Sequence, residues 1–248
     1  MKGTLVVFRR EIAGLFFTPL GWVLFFLALV LNGLLFGIYL QASDGRVNEA
    51  FSIALGYGTQ FWLIVVVLPP LLTMRMLSEE SRTGMLEFLM TAPVGDAAIV
   101  VGKLLAATAF LALIWTSTLV YGVVLQALGA GPDWGQLLAA YLGACLVSGL
   151  FCAAGLVASS LTSAPILSAF LATLFNVGLL VAAFLAPRVG GRVGGVVTEV
   201  TSVINVPQNL QGSFLIGVFD SAHVVFFLAW TAVFVVLATR ILEARRWW

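Results

Sequence analysis

Six long runs of apolar residues constrain the fold of this chain more than any other feature of its sequence. An α-helix rises about 1.5 Å per residue, so about 20 apolar residues cross the hydrocarbon core of a bilayer. The runs of this length are Leu20–Leu40, Gly56–Met74, Leu104–Leu128, Leu137–Leu161, Ile166–Ala186 and Val224–Leu242. They lack strand alternation and are too long for barrel strands. The sequence therefore predicts an all-α membrane protein with six transmembrane helices.

The composition excludes a water-soluble fold. Hydrophobic residues make up 61% of the 248 residues, and the mean hydropathy is +1.10. A soluble domain of this size does not bury that much apolar surface. The segments between the runs are too short for an independent second domain. We therefore predict a single transmembrane domain over residues 1–248, with lipid as its main surroundings and no nucleic-acid partner.

The positions of lysine and arginine predict the orientation of the six helices, because basic residues concentrate in cytoplasmic loops. With the N-terminus inside, the inner segments hold Lys2, Arg9, Arg10, Arg75, Arg82, Lys103, Arg240, Arg245 and Arg246. The outer segments hold Arg46, Arg188 and Arg192. Both termini are predicted to be cytoplasmic, which agrees with an even number of spans.

Residues 1–19 are predicted to form an amphipathic helix that lies in the cytoplasmic interface of the membrane. The apolar residues at helical spacing are Leu5, Phe8, Ile12, Leu15 and Phe16. Thr18-Pro19 is expected to end this helix and turn the chain into the first span. The alternative is a simple basic anchor for the first span.

A dense group of charges follows the second span, in a chain with only 9% charged residues. Pro69-Pro70 is expected to kink or break the second helix near its inner end. Arg75–Arg82 is predicted to continue as a water-exposed helix until Gly84 interrupts it. A short apolar helix is expected after Gly84, and Asp96 is placed to cap the next span. The alternative is an ordinary charged connector, which would need neither the glycine nor the apolar helix.

The segment EESRTGMLEFLMTAPVGDAAIVVGKLLA resembles the membrane subunits of type-two ABC exporters. Their pattern is roughly E-E-x-R-x-G-T-L-E-x-L-L-x-x-P-V, followed by G-K at the next span. The chain matches at Glu79, Glu80, Arg82, Gly84, Leu86, Glu87, Leu89, Pro93, Val94, Gly102 and Lys103. It departs at Met85, where threonine is usual, and at Met90, where leucine is usual. The most similar subgroup contains the gliding-motility permease GldF and the nitrous-oxide-reductase permease NosY.

The resemblance implies a permease of the bacterial inner membrane that works with a separate ATPase. Residues 75–103 would form a cytoplasmic coupling loop. The contact with the ATPase would be made by Gly84, Met85, Leu86, Glu87, Phe88 and Leu89. A polar gate below the pathway would consist of Glu79, Glu80 and Arg82. Two ATPase copies and a second permease copy are the expected partners.

No nucleotide site is predicted in the chain itself. A phosphate-binding loop needs the spacing G-x-x-x-x-G-K-[ST], and Gly102-Lys103 is followed by Leu104. We therefore expect no cofactor on this chain, with ATP and magnesium on the partner ATPase. Cys145 and Cys152 have no histidine or cysteine cluster near them, so no metal site is predicted.

Residues 187–223 form the longest predicted extracytoplasmic segment. Pro187–Arg192 is expected to be a flexible polar turn, and the rest to be a re-entrant or interfacial helical hairpin. SFLIGVFDSAHVVFFL resembles the corresponding GldF segment, although His223 stands where an acid is common. The resemblance implies contacts of Phe214, Gly217 and Asp220 with an extracytoplasmic GldG-like partner.

Asp220 also fits a helix N-cap, and His223 a solvated or capping residue. Polar residues inside the spans leave two interpretations open. Asn32, Gln60 and Asn176 either join helices by hydrogen bonds or line a pathway, and the first role is the commoner one. No span carries a clear aspartate or glutamate, which disfavours an ion-driven carrier.

Two functions therefore fit the sequence. The first is the permease subunit of an exporter driven by ATP, and the second is a subunit that passes motion of the ATPase to an extracytoplasmic protein without transporting a solute.

Overall fold

The structure, a computed structural model, describes residues 2–85, 95–193 and 205–245. Over these ranges the chain is helical and contains no strand. The α-helices are α1 (Lys2–Phe17), α2 (Pro19–Ala42), α3 (Val47–Ser52), α4 (Thr59–Thr73), α5 (Ser78–Thr83), α6 (Asp96–Ala127), α7 (Trp134–Leu161), α8 (Pro165–Val193), α9 (Val206–Gln211) and α10 (Ser221–Arg245). A π-helical turn (Ile53–Tyr57) follows α3, and a 3-10 turn (Phe214–Ile216) follows α9.

Six segments of the described ranges are long and apolar enough to cross a membrane. They are Pro19–Ala42, Val47–Thr83, Asp96–Ala127, Trp134–Leu161, Pro165–Ala183 and Ser221–Ala244. This confirms the predicted all-α class with six spans. α4, α6 and α7 form the interior, whereas α2, α8 and α10 expose most of their apolar surface.

Small residues of α7 allow neighbouring elements to approach its backbone closely. A Cβ atom added at Gly143 would lie 2.6 Å from Leu210 Cδ1 and 2.8 Å from Phe214 Cβ. A Cβ atom added at Gly155 would lie 2.3 Å from Thr73 Oγ1. Glycine is therefore required where α4, α9 and the 3-10 turn pack on the central helix.

The two ends of the bundle differ in chemistry. The end formed by α1, α5 and the start of α6 carries Arg10, Arg75 and Lys103, and we call it the basic end. The opposite end is formed by α3, α9, the 3-10 turn and the start of α7. Amide groups join it: Asn48 Oδ1 accepts from the Asp133 N–H at 2.8 Å, and Gln136 Nε2 donates to Leu215 O at 2.7 Å.

The break between α1 and α2 falls where the sequence predicts it. α1 ends at Phe17, and Thr18 has an extended conformation with φ −94° and ψ 138°. The Thr18 hydroxyl accepts from the Gly21 N–H at 3.4 Å, and Pro19 takes the first position of α2. This is the arrangement of a capped helix start. The position of α1 in the membrane interface stays a prediction.

Of the predicted kink or break at Pro69-Pro70, the break is wrong, and the kink stays a prediction. Both prolines lie inside α4, which continues to Thr73. The missing N–H groups weaken the helix locally, but its buried residues, among them Val65 and Leu68, hold it in the core. The chain instead leaves the helix over 74–77, where Met76 and Leu77 are buried, so the predicted water-exposed continuation is only partly correct.

Three other local predictions need correction. The second span has a kink at Gly56, with φ 173° and ψ −26°, and α4 begins only at Thr59. The N-cap of α6 is Gly95, and Asp96 is its first helical residue. Pro187–Arg192 is helical rather than a turn, because α8 continues to Val193. The part of the predicted hairpin over 194–204 lies outside the described residues.

We expect Gly143→Ala to destabilise the protein by about 1–3 kcal/mol, because the added methyl group overlaps Leu210 and Phe214. The matched control is Gly149→Ala on the same helix, whose Cβ atom meets its nearest neighbour, Thr108, at an ordinary 3.6 Å. The measurement is the free energy of SDS-induced unfolding in mixed micelles. Equal values for the two variants would contradict the close packing at Gly143.

Candidate functional site

Lys103 is a charged residue whose side chain is fully buried. It lies two turns into α6, at the basic end. Removing an ammonium group from water is unfavourable by several kcal/mol unless close anions compensate the loss of hydration. The surroundings of Lys103 therefore have to supply negative charge.

Two carboxylates from different helices surround the Lys103 ammonium. Nζ donates a hydrogen bond to Glu11 Oε1 of α1 at 2.9 Å, and it forms an ion pair with Glu80 Oε2 of α5 at 2.8 Å. Both glutamate side chains are mostly buried. Lys103 therefore joins three helices that are far apart in the sequence.

Arg10, whose side chain is 43% exposed, completes this arrangement from the surface of the bundle. Its Nη2 donates to Glu11 Oε1 at 2.5 Å and also to Glu80 Oε1. We call Arg10, Glu11, Glu80 and Lys103 the Lys103 cluster. Its two cations and two anions balance, which limits the unfavourable burial of charge.

The electrostatics of the cluster keep Glu11 ionised. Burial acts to raise the pKa of the Glu11 carboxyl group, but the charges and hydrogen bonds of Lys103 and Arg10 outweigh burial, so this pKa lies below its ordinary value. The two nearby cations therefore keep the Glu11 carboxylate ionised at neutral pH, and this negative charge compensates the buried charge of Lys103.

Close backbone packing brings α1 to Lys103. A Cβ atom added at Gly102 would lie 2.8 Å from Val7 Cβ and 2.9 Å from Thr4 O. The missing side chain of Gly102 lets α1 lie directly on α6, and the next residue, Lys103, reaches Glu11. A different contact fixes α5 on α7: the N–H groups of Leu77 and Ser78 both donate to Ser159 Oγ, at 3.2 and 3.1 Å.

The three residues of the predicted polar gate have different surroundings. Glu80 belongs to the Lys103 cluster. Glu79 instead pairs with Arg75 at 2.5 Å, and Arg82 is exposed. The gate itself stays a prediction.

The partnership of Arg10, Glu11 and Lys103 was not predicted from the sequence. The available signals were two adjacent opposite charges in an amphipathic helix and the Gly102-Lys103 pair.

The predicted coupling loop begins beside the cluster. Gly84 ends α5 in the left-handed conformation with φ +73°, which favours glycine. Met85 follows with an exposed side chain. The other predicted contacts, Leu86, Glu87, Phe88 and Leu89, lie outside the described residues.

The polar residues predicted inside the spans are all buried. Asn32 Nδ2 donates to Ser117 Oγ at 3.0 Å, so Asn32 joins α2 to α6. Both amide atoms of Gln60 and of Asn176 are buried without a hydrogen-bond partner in the described part of the chain. Asn32 thus has the predicted role of joining helices. A role of Asn32, Gln60 and Asn176 in a transport pathway stays a prediction.

At the opposite end, the structure places the predicted partner contacts in three environments. Phe214 is fully buried, whereas Gly217 forms a left-handed turn with φ +81°. Asp220 caps α10, since its Oδ1 accepts from the Ala222 N–H at 2.9 Å. His223 Nδ1 lies 2.7 Å from Asn209 Oδ1. The capping role of Asp220 is confirmed, and contact with a partner protein stays a prediction.

Comparison with known families accounts for the six apolar helices. Residues 18–186, well over half of the chain, match the family model described as ABC-2 family transporter protein. The chain belongs to the ABC-2 transporter family. Among curated proteins, none matches the chain. ABC-2 membrane components lack a nucleotide-binding domain of their own and normally work with an ABC ATPase. As an ABC-2 permease, this chain is a multi-pass membrane protein.

We expect Lys103→Met to destabilise this ABC-2 protein by about 3–5 kcal/mol, because it leaves two mostly buried carboxylates with Arg10 alone. Adding Glu80→Gln should recover part of this loss. The control, Arg46→Met, removes an exposed cation paired with Glu49 and should change stability by about 0.5 kcal/mol or less. The measurement for all three variants is the free energy of SDS-induced unfolding. Equal effects of Lys103→Met and Arg46→Met would contradict the cluster.

Proposed function

We propose that this chain is the permease subunit of an exporter that is driven by ATP hydrolysis in a separate subunit. Two copies of the permease would assemble with two copies of the ATPase, which would bind ATP and magnesium. The single observation that carries this proposal is the Lys103 cluster, which ties α1, α5 and α6 together beside the predicted coupling loop.

The position of the cluster suits the transmission of force. The loop leaves α5 at Gly84 and enters α6 at Asp96. Glu80 lies four residues before Gly84, and Lys103 lies seven residues, roughly 10 Å, after Asp96. Both flanks of the loop are therefore joined within a short distance. Displacement of the loop by an ATPase would move α1, α5 and the start of α6 as one unit.

The orientation that this mechanism needs agrees with the distribution of charge. Nine of the twelve basic residues fall in segments predicted to be cytoplasmic when the N-terminus is inside. We propose that the basic end faces the cytoplasm of a bacterial cell and that α1 lies in the inner-membrane interface. Asn32, Gln60 and Asn176 would contribute to the pathway, and Glu79, Glu80 and Arg82 to its cytoplasmic gate.

A second candidate function rests on the opposite end of the bundle. Ile216, Val218 and Phe219 are each more than half exposed, around the left-handed turn at Gly217. Such a row of apolar side chains fits contact with another protein. In this alternative, which follows the GldF-like resemblance, motion of the spans would pass to a GldG-like partner. Capture of a partner through Phe219, without solute flux in proteoliposomes, would favour this function over export.

Gly84→Val tests the coupling role of the loop, because a β-branched residue at positive φ is strained by about 1–2 kcal/mol. Gly95→Thr is the matched control, since Gly95 flanks the same loop with φ −69° and a Cβ atom added there meets nothing within 4 Å. Threonine is also β-branched, and it is tolerated at a helix N-cap about as well as glycine. We expect Gly84→Val to reduce stimulation of the co-purified ATPase by roughly five- to thirtyfold. Gly95→Thr should change it little.

Charge reversal with Glu87→Lys extends the same test into the loop. It should weaken assembly with the ATPase. Unchanged assembly and unchanged stimulation in both Gly84→Val and Glu87→Lys would reject the loop as the coupling element.

A further inference from the structure

A groove lined only by hydrocarbon side chains runs along the surface of the bundle between α8 and α10. Its volume is about 630 Å³, and the second half of α7 forms its floor. Phe175 of α8 and Phe234 of α10 both line the groove, and their rings touch edge to face with centroids 5.5 Å apart. No lining side chain carries a hydrogen-bonding group. A polar solute would therefore lose its hydration without compensation in this groove.

The groove exists because two helices carry small residues at the same spacing. Ala154 and Ala158 of α7 lie four residues apart, and so do Gly178 and Ala182 of α8. Residues at this spacing lie on one face of a helix. A Cβ atom added at Gly178 would meet nothing within 4 Å. The small side chains leave room that no other described residue fills.

The length of the groove matches one leaflet of a bilayer. Along α8 it extends from Leu171 to Ala182, which are eleven residues, or roughly 16 Å, apart. This is about half of the 30 Å hydrocarbon core. The groove also includes Leu161, the last residue of α7, so it begins near the basic end. Its dimensions therefore fit hydrocarbon that enters from the leaflet at that end.

Positive charge lies beyond the mouth of the groove. Arg240 follows the lining residue Leu237 by one turn of α10, and its side chain is 75% exposed. Its Nη1 lies 2.9 Å from Glu243 Oε2, the acidic neighbour on the same helix. The N-terminus of the 29-residue α8 is at the same end and adds partial positive charge. An exposed arginine at the membrane surface attracts anionic headgroups.

We propose that the groove binds an acyl chain of an anionic phospholipid and that Arg240 contacts its headgroup. The hydrocarbon lining favours the acyl chain of the lipid, and the positive charge beyond the mouth favours an anionic headgroup. This site is separate from the Lys103 cluster and does not depend on the proposed exporter function. The competing occupant is a second copy of the chain, which would cover the groove with protein.

Native mass spectrometry of the full-length chain, titrated with dioleoyl phosphatidylglycerol or dioleoyl phosphatidylcholine, tests the proposal. We expect wild type to bind phosphatidylglycerol more tightly. Gly178→Leu fills the groove and should weaken binding of both lipids by more than about tenfold, because several methylene groups lose their burial. The matched control is Gly37→Leu on α2, which also enters open space and should bind both lipids as wild type does.

The headgroup contact is tested by Arg240→Ala against Arg46→Ala, which removes an arginine of similar exposure and the same i,i+3 ion pairing. Arg240→Ala should weaken phosphatidylglycerol binding by about fivefold and leave phosphatidylcholine binding unchanged. Arg46→Ala should change neither. Equal affinities of wild type for the two lipids, or wild-type binding by Gly178→Leu, would overturn the proposal. A Gly178→Leu variant that loses its dimer but keeps its lipid would instead assign the groove to a second copy.

Discussion

The buried charge of Lys103 is the constraint on which the basic end of this protein depends. An ammonium group in an apolar interior is unfavourable unless anions meet it at close range, and both anions here come from other helices. α1 and α5 therefore have to dock on α6 in one register. Arg10 balances the second carboxylate, so the cluster is neutral as a whole. In the proposed function, this fixed unit is where a soluble ATPase would act on the membrane helices.

The opposite end is held by a different kind of interaction. Its contacts are hydrogen bonds of uncharged amides and the insertion of Leu210 and Phe214 against Gly143 of α7. Gly143 is nine residues from the start of α7, so this insertion reaches roughly 13 Å along the central helix. α7 thus connects an ionic end with an amide end. In the second candidate function, motion that starts at the Lys103 cluster would pass through α6 and α7 to the segment that carries Phe219.

Hydropathy was sufficient to predict the six spans, because the cost of placing polar backbone and charge in lipid leaves few alternatives. Local chemistry was sufficient for the break at Thr18-Pro19 and for the cap at Asp220. The Lys103 cluster was not predictable in this way, since Glu11 and Lys103 are 92 residues apart and only packing brings them together. The break that local preference favours at Pro69-Pro70 does not occur, because the packing of α4 in the core keeps this helix intact.

The side of the membrane that the basic end faces decides whether an ATPase reaches the Lys103 cluster. Cysteine labelling in intact cells measures it, with single cysteines replacing Arg82 at the basic end or Arg46 at the opposite end. Cys145 and Cys152 are first changed to alanine. We expect a membrane-impermeant maleimide to label the cysteine at position 46 in intact cells and the cysteine at position 82 only after permeabilisation. Labelling of position 82 from outside would contradict the proposed coupling.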